Sequence, residues 1–187
     1  MDSIIEASQN STERANQSGY SRKIAQEIVD ICFNAGISLA ATLPDDWIAH
    51  TIACFEQDSR FAHIPVNREE SAIGICSGAF LSGTGSVALM GASGLMTLVY
   101  AITKINYTYE IPVFLMATYR GSLDDGAKFH VSNGLYLENV LNSINLTHTI
   151  INNVMELSKI EEAYHHSRKI SRPTVVLLPK RLLQGKG

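Results

Sequence analysis

NREESAIGICSGAFLSGTGSVALMGASG, residues 67–94, indicates the fold class of the chain most clearly. Its apolar residues first recur at helical spacing, from Ala72 to Phe80, and then form the continuous run 87–90. A helix that leads into a short, fully apolar strand is typical of a parallel sheet whose two faces are both covered. The stretch also holds six of the chain's thirteen glycines and two adjacent carboxylates.

The same alternation of helix and strand extends over the rest of the chain. Helical patterns separate further apolar runs, and these predict strands at 37–43, 61–66, 111–118, 147–151 and 174–178. We therefore expect a three-layer α/β/α sandwich around a six-stranded, mainly parallel sheet. Residues 1–18 are polar and rich in Ser, Asn and Gln, which predicts a disordered leader before a single domain at 19–187.

Composition and charge exclude several classes of function. The 187 residues carry a formal net charge of −3, and their basic residues are scattered, unlike those of a nucleic-acid-binding protein. The sequence shows no apolar run of membrane-spanning length and no secretory signal, so we expect a cytoplasmic protein with no membrane partner. Cys32, Cys54 and Cys76 lie far apart among apolar residues, which predicts buried thiols and no metal site in this chain.

The position of the active site follows from the predicted sheet. Ligands of open parallel sheets bind beyond the carboxyl ends of the strands. In this sequence those ends lead into the loops 44–46, 67–69, 91–94 and 119–130. We expect the site to be built from these four loops.

The adjacent carboxylates Glu69 and Glu70 allow two interpretations. Asn67 is a suitable N-cap for the predicted helix, and Glu70 stands three residues later, as in a capping box. Glu69 is by residue type alone an ordinary first-turn acid, favoured by the helix dipole. Farther along the helix, Gly74 and Gly78 predict close packing, either within the chain or across subunits.

A family resemblance gives Glu69 a second interpretation. Glu69, Ala72 and Gly78 form the pattern E-x-x-A-x-x-x-x-x-G, which resembles the pyrimidine-binding (PYR) domain of thiamine diphosphate enzymes. Other segments resemble the sulfopyruvate and phosphonopyruvate decarboxylases in the same order, namely TLPDDWI (42–48), MGASGLMT (90–97), YRG (119–121) and RPTVVLLPK (172–180). The resemblance implies a flavodoxin-like PYR fold.

The resemblance also implies how the cofactor would be bound. In this family the glutamate hydrogen-bonds N1′ of the aminopyrimidine and so promotes loss of the thiazolium C2 proton, which makes Glu69 the catalytic residue. Such a carboxyl group works best in a dry pocket. Besides Glu69, the matching positions of the cofactor pocket are Pro44, Ser93, Gly94 and Leu95.

The substrate pocket is implied by the first and fourth loops. Asp45 and Asp46 follow the first strand, and one of them faces the cofactor while the other is only a helix cap. Arg120 and His130, with Lys128 behind them, are suited to the anionic end of a 2-oxo acid, because a guanidinium binds carboxylate, sulfonate or phosphonate groups. The alternative is that these three cations only decorate a mobile loop. Departures from the family pattern at 91–92 and 96–97 leave the substrate open.

The family pattern further implies a partner chain. The diphosphate and Mg²⁺ are bound by a second, diphosphate-binding (PP) domain with a G-D-G motif and a spaced asparagine. Asp124-Asp125-Gly126 followed by Asn152 imitates that motif but lacks its first glycine. We therefore expect a PP-domain β subunit, and a second copy of this chain, in an α₂β₂ or larger complex.

The implied function is that of the α subunit of a thiamine diphosphate- and Mg²⁺-dependent 2-oxo acid decarboxylase. Its substrate would be 3-sulfopyruvate or 3-phosphonopyruvate, and its products an aldehyde and CO₂. Two alternatives stay open: a carboligase subunit of the acetolactate synthase kind, and a non-catalytic PYR-like scaffold. Glu69 argues against the scaffold, because a degenerate copy has no reason to keep that acid.

Overall fold

The sheet has six strands, all parallel, in the order β2-β1-β3-β4-β6-β5. The computed structural model describes residues 2–123 and 125–185, with side chains from residue 17 onward. The strands are β1 Leu39–Thr42, β2 Ala62–Pro65, β3 Ser86–Met90, β4 Phe114–Tyr119, β5 Thr147–Ile150 and β6 Thr174–Pro179. The predicted α/β sandwich is confirmed.

Helices cover both faces of this sheet. They are α1 Asp2–Asn34, α2 Ala49–Gln57, α3 Glu69–Leu81, α4 Ala92–Thr97, α5 Val99–Ala101, α6 Val131–Ser143, α7 Lys159–Ile170 and α8 Lys180–Gln184. A π-helix, Ile102–Tyr107, continues α5, and 3₁₀ turns lie at Lys128–His130 and Val154–Glu156. Helices α1, α2, α7 and α8 pack on one face, and α3, α4 and α6 on the other.

The side chains of each central strand alternate between two apolar cores. Phe114 and Met116 of β4 face the α1 side, while Leu115 and Ala117 face the α3 side, and all four are fully buried. This alternation is the two-residue period of a strand, and burial of both faces explains why the strands read as continuous apolar runs.

The structure differs from the sequence-based expectation at the amino terminus. Helix α1 begins at Asp2, within the stretch 1–18 for which a disordered leader was predicted. The polar composition of residues 1–18 indicates only that this segment can bury little apolar surface. Helical hydrogen bonds are local, so a helix can extend outward from its packed part. The prediction of a single domain over residues 19–187 stays a prediction.

Two predicted helix caps are wrong. Helix α3 begins at Glu69 with Arg68 as its N-cap and no side-chain cap, so Asn67 and Glu70 do not form a capping box. The reason is that Val66 still donates to Thr42 of β1, so the chain turns one residue later than predicted. Helix α2 begins at Ala49 with Ile48 as its N-cap, so neither Asp45 nor Asp46 is the helix cap that one of them was expected to be.

Candidate active site

The strand order brings the four predicted loops to one edge of the sheet. Strands β2, β1, β3 and β4 are consecutive neighbours, and all run in the same direction. Their carboxyl ends therefore lie side by side, followed by residues 66–69, 43–46, 91–94 and 120–121. The site described below occupies this edge.

Glu69 and Gly94 are in direct contact across two of these loops. Glu69 is the first residue of α3, and its carboxyl group is partly buried. A Cβ atom added to Gly94 would lie 1.9 Å from Glu69 Oε1 and 2.4 Å from its carboxyl carbon. The absence of a side chain at position 94 therefore allows the Glu69 carboxyl group to lie beside α4.

Asp45 is fixed at the same edge by three contacts. Its Oδ1 accepts a hydrogen bond of 3.0 Å from the backbone N–H of Trp47, and its Oδ2 accepts one of 2.7 Å from Arg120 Nη2. A Cβ atom at Gly91 would lie 2.6 Å from that Oδ2. The Asp45 side chain is only 11% exposed, whereas that of Asp46 is 75% exposed. The structure thus distinguishes two acids that the sequence left equivalent.

Arg120 is the buried centre of the polar cluster, with a side chain 9% exposed. Its Nη2 donates to Asp45 and to the Asp46 carboxylate, its Nη1 contacts His130 Nε2 at 2.5 Å, and its Nε donates to Thr118 Oγ1 at 3.3 Å. The guanidinium also lies 4.4 Å from the centre of the Trp47 ring, which is cation–π distance. Burial opposes its charge, but Asp46 and Asp45 outweigh burial and raise the pKa of Arg120.

His130 is held in one tautomer by its two neighbours. A guanidinium has no acceptor, so the Nε2 atom facing Arg120 must be the unprotonated one. The proton of neutral His130 then lies on Nδ1, which is 2.7 Å from Asp125 Oδ2, although the N–H is poorly aligned for a full hydrogen bond. In this arrangement both ring nitrogens are engaged within the protein.

Asp125 anchors the loop that follows β4. Its carboxylate accepts from the backbone N–H groups of Gly121 and Ala127 as well as facing His130. Burial alone would raise the pKa of Asp125, but the contacts with His130, Gly121 and Ala127 outweigh burial and lower it. Part of the polar loop is therefore tied down, rather than freely mobile.

The remaining predicted cofactor residues lie nearby. Ser93 Oγ and the buried Asn133 of α6 exchange hydrogen bonds of 3.2 and 3.1 Å. Leu95 is buried in the core under α4. Pro44 is exposed and, with Asp45 and Asp46, lines a groove of about 430 Å³ beside α2. Their assignment to cofactor binding stays a prediction.

Four residues of this cluster were not found by sequence reasoning as members of the site. They are Trp47, Thr118, Asp125 and Asn133. Thr118 Oγ1 accepts from the backbone N–H of Ala92 at 3.0 Å and so joins β4 to the start of α4. Trp47, Thr118 and Asn133 gave no signal because the residues that they contact in the cluster, Arg120, Ala92 and Ser93, are distant in sequence. The partners of Asp125 are close in sequence, but Asp125 was noted only as part of the motif that imitates G-D-G.

The described part of the chain contains no group of three or more His, Cys, Asp or Glu side chains that could hold a metal ion. Among the same residues, no helix is both long and apolar enough to cross a bilayer. Lys128, predicted to support Arg120 and His130, is exposed at the start of the 3₁₀ turn.

Comparison with known proteins finds similar sequences, although no protein-family model matches the chain. A Methanosarcina acetivorans protein named sulfopyruvate decarboxylase is 32% identical over 153 residues, which are 82% of this chain and 39% of that protein. Sulfopyruvate decarboxylase subunit alpha of Methanococcus maripaludis is 26% identical over 82% of this chain and 93% of its own length. The chain is therefore similar over most of its length to proteins named sulfopyruvate decarboxylase.

Two further comparisons extend this similarity. Sulfopyruvate decarboxylase subunit alpha of Methanocaldococcus jannaschii is 29% identical over 77% of this chain and 86% of that subunit. The two proteins named subunit alpha thus match this chain over most of their own length, whereas the chain spans less than half of the Methanosarcina acetivorans protein. A 2-oxoglutarate:ferredoxin oxidoreductase of Magnetococcus marinus superposes with a TM-score of 0.66 at 13% identity, over 86% of this chain and 28% of that chain, which shows a shared fold.

Proposed function

We propose that this chain is the α subunit of a thiamine diphosphate-dependent 2-oxo acid decarboxylase and binds the pyrimidine half of the cofactor. The observation that carries the proposal is the contact between the Glu69 carboxyl group and Gly94 at the carboxyl edge of the sheet. The names of the three relatives support a decarboxylase and, for two of them, an α subunit. Glu69 is the catalytic residue in this proposal.

The residues at the edge fit the cofactor's pyrimidine. Gly91 and Gly94 leave room for the carboxyl groups of Asp45 and Glu69 against the backbone of residues 91–94, so a ring bound beside this loop would lie next to the Glu69 carboxyl group. Thiamine diphosphate, when bound, supplies the electron sink that decarboxylation of a 2-oxo acid requires. Glu69 would hold a proton at the ring nitrogen N1′, while Pro44, Ser93 and Leu95 would line the pocket.

The substrate assignment rests on charge and on the family. Arg120 is a buried cation at this edge, with Asp45, Asp46 and His130 around it. A guanidinium suits a sulfonate, phosphonate or carboxylate group. We propose 3-sulfopyruvate or 3-phosphonopyruvate as the substrate, with the relatives' names favouring the first.

The other half of the site is assigned to a partner. The described residues contain one sheet and no metal-binding cluster, so diphosphate and Mg²⁺ need a further domain. We propose that a β subunit with G-D-G and a spaced asparagine supplies it, in an α₂β₂ or larger complex. A cytoplasmic location stays a prediction.

Reconstitution tests this function directly. The full chain would be assayed with thiamine diphosphate, Mg²⁺ and a panel of 2-oxo acids, first alone and then co-expressed with a PP-domain subunit. We expect CO₂ and an aldehyde from the pair only, with the anionic 3-substituted acids as the best substrates. Activity of the chain alone would contradict the need for a partner, and a C–C coupled product in place of the aldehyde would favour the carboligase.

A further inference from the structure

The four partners of Arg120 are not equally fixed. Asp45, Thr118 and His130 each have a second anchor: the N–H of Trp47, the N–H of Ala92 and the carboxylate of Asp125, respectively. Asp46 makes no second hydrogen bond within residues 2–123 and 125–185. Three partners are therefore fixed by other groups of the protein. Asp46 is held only by its contact with Arg120.

Asp46 is also the partner that faces solvent. Its side chain is 75% exposed, against 9% for Arg120 and 11% for Asp45. An ion pair with one exposed member is weak, whereas breaking a buried pair leaves an uncompensated charge and is costly. An anion that arrives from solvent therefore displaces Asp46 from Arg120 far more readily than it displaces Asp45.

We propose that Asp46 is a displaceable counter-ion of Arg120 and occupies the place that the anionic head group of the substrate takes. The proposal rests on the function proposed above and deepens it, because it assigns the head group, a sulfonate or phosphonate, to one N–H edge of Arg120. The Asp45, Thr118 and Trp47 contacts keep the guanidinium in place while the counter-ion is exchanged.

The exchange makes Asp46 a specificity-determining residue. A 2-oxo acid without an anionic group at C3 leaves Asp46 bound to Arg120. The uncharged C3 substituent of that acid then meets the Asp46 carboxylate instead of a cation. Rejection by an unfavourable contact is a general route to specificity. Weakening Asp46 should therefore tighten the binding of anions and reduce the discrimination against uncharged side chains.

Trp47 provides the measurement, because it is the only tryptophan of the chain and lies under the Arg120 guanidinium. The full chain would be titrated with methanesulfonate, which carries the head group alone, and Trp47 fluorescence recorded. We expect saturable binding that is roughly two- to fivefold tighter in Asp46→Asn, the range set by the strength of an exposed ion pair.

Asp30→Asn is the matched control. Asp30 is an exposed acid, 45% accessible, that pairs with Arg60 away from this edge, so the change removes the same charge from another Asp–Arg pair with an exposed carboxylate. We expect its methanesulfonate affinity to equal that of the wild type. Equal tightening in both variants would reduce the effect to net charge and overturn the proposal, as would unchanged or weaker binding in Asp46→Asn.

The reconstituted pair separates this proposal from the proposed function. There, Asp46→Asn should lower KM for 3-sulfopyruvate by a similar factor, a larger change than in kcat, and improve the relative use of pyruvate. Tighter methanesulfonate binding in a pair that decarboxylates no 2-oxo acid would refute the function and leave the exchange standing. An active pair whose KM rises in Asp46→Asn, or a chain in which methanesulfonate gives no saturable response, would refute the exchange, since every group involved belongs to this chain.

Discussion

At the scale of single residues, the Glu69–Gly94 contact joins a residue at the start of α3 to one in α4. The contact needs the side chain of Glu69 and the absence of a side chain at position 94, so the two residues depend on each other. The same relation holds between Asp45 and Gly91. In both pairs a carboxyl group fills the space that a side chain would take at the glycine, and the proposed function uses the carboxyl group of Glu69.

Gly94→Ala tests the close approach. The added Cβ would overlap the Glu69 carboxyl group, so we expect that group to move and decarboxylase activity of the pair to fall at least tenfold, with a destabilisation of about 1–3 kcal/mol. Activity and urea unfolding would be measured together. Gly74→Ala is the control, because no described atom lies within 4 Å of a Cβ there; wild-type activity in Gly94→Ala would contradict the contact.

The lowered pKa of Asp125 predicts a dependence of stability on pH. A carboxylate whose pKa is lower in the folded than in the unfolded chain stabilises the fold above its unfolded value, here 3.8, and this contribution is lost as pH falls through the folded pKa. We expect Asp125→Asn to cost about 1–3 kcal/mol near pH 6 and progressively less below pH 3.8. Unfolding free energies of both proteins from pH 6 to pH 3 check this, and a gap that grows on acidification would contradict it.

Residue types together with the family resemblance predicted Glu69, Asp45, Asp46, Arg120 and His130 as candidates, but not their pairings. Asp45 and Arg120 are 75 positions apart, and no local pattern indicates that they form an ion pair. The difference between Asp45 and Asp46 depends on which of two successive side chains turns inward, and this is decided by Trp47 and Gly91.

At the scale of elements, α3 shows which features of a helix the sequence predicts well. Its apolar spacing from Ala72 to Phe80 predicted a helix, and the observed helix is Glu69–Leu81. The cap was predicted wrongly because the end of β2 decides where the chain can turn. The chain after β3 forms α4, α5 and a π-helix that contains the buried Asn106.

The glycines of α3 allow an element-scale prediction. Gly74 and Gly78 are exposed, and apart from the helix's own backbone no described atom lies within 4 Å of a Cβ built at either, so neither packs closely against the rest of the described residues. Packing across subunits stays a prediction. We expect Gly78→Ala to stabilise the isolated chain by up to about 1 kcal/mol, because alanine is the better helix former, and to raise Tm by roughly 2–4 °C. Thermal unfolding measures this, and a lower Tm would reveal a contact within the chain.

At the scale of the whole molecule, the strand order determines which loops meet at the carboxyl edge of the sheet, where the candidate active site lies. The apolar runs predicted a parallel sheet, but nothing in a single sequence gave the order β2-β1-β3-β4-β6-β5. That order places the loops after β2, β1, β3 and β4 beside one another. In the proposed function this edge is half of an active site, with its carboxylate and its cation on one edge.

Glu69→Gln in the reconstituted pair tests the proposed role of Glu69 most directly. Glutamine keeps the size of the side chain but cannot exchange a proton with N1′, so we predict that deuterium exchange at C2 of bound thiamine diphosphate slows about a hundredfold or more, while the subunits still assemble. Exchange would be followed by acid quenching and NMR, with the exposed neighbour Glu70→Gln as the matched control. Exchange at the wild-type rate in Glu69→Gln would contradict the proposal that Glu69 is the catalytic residue.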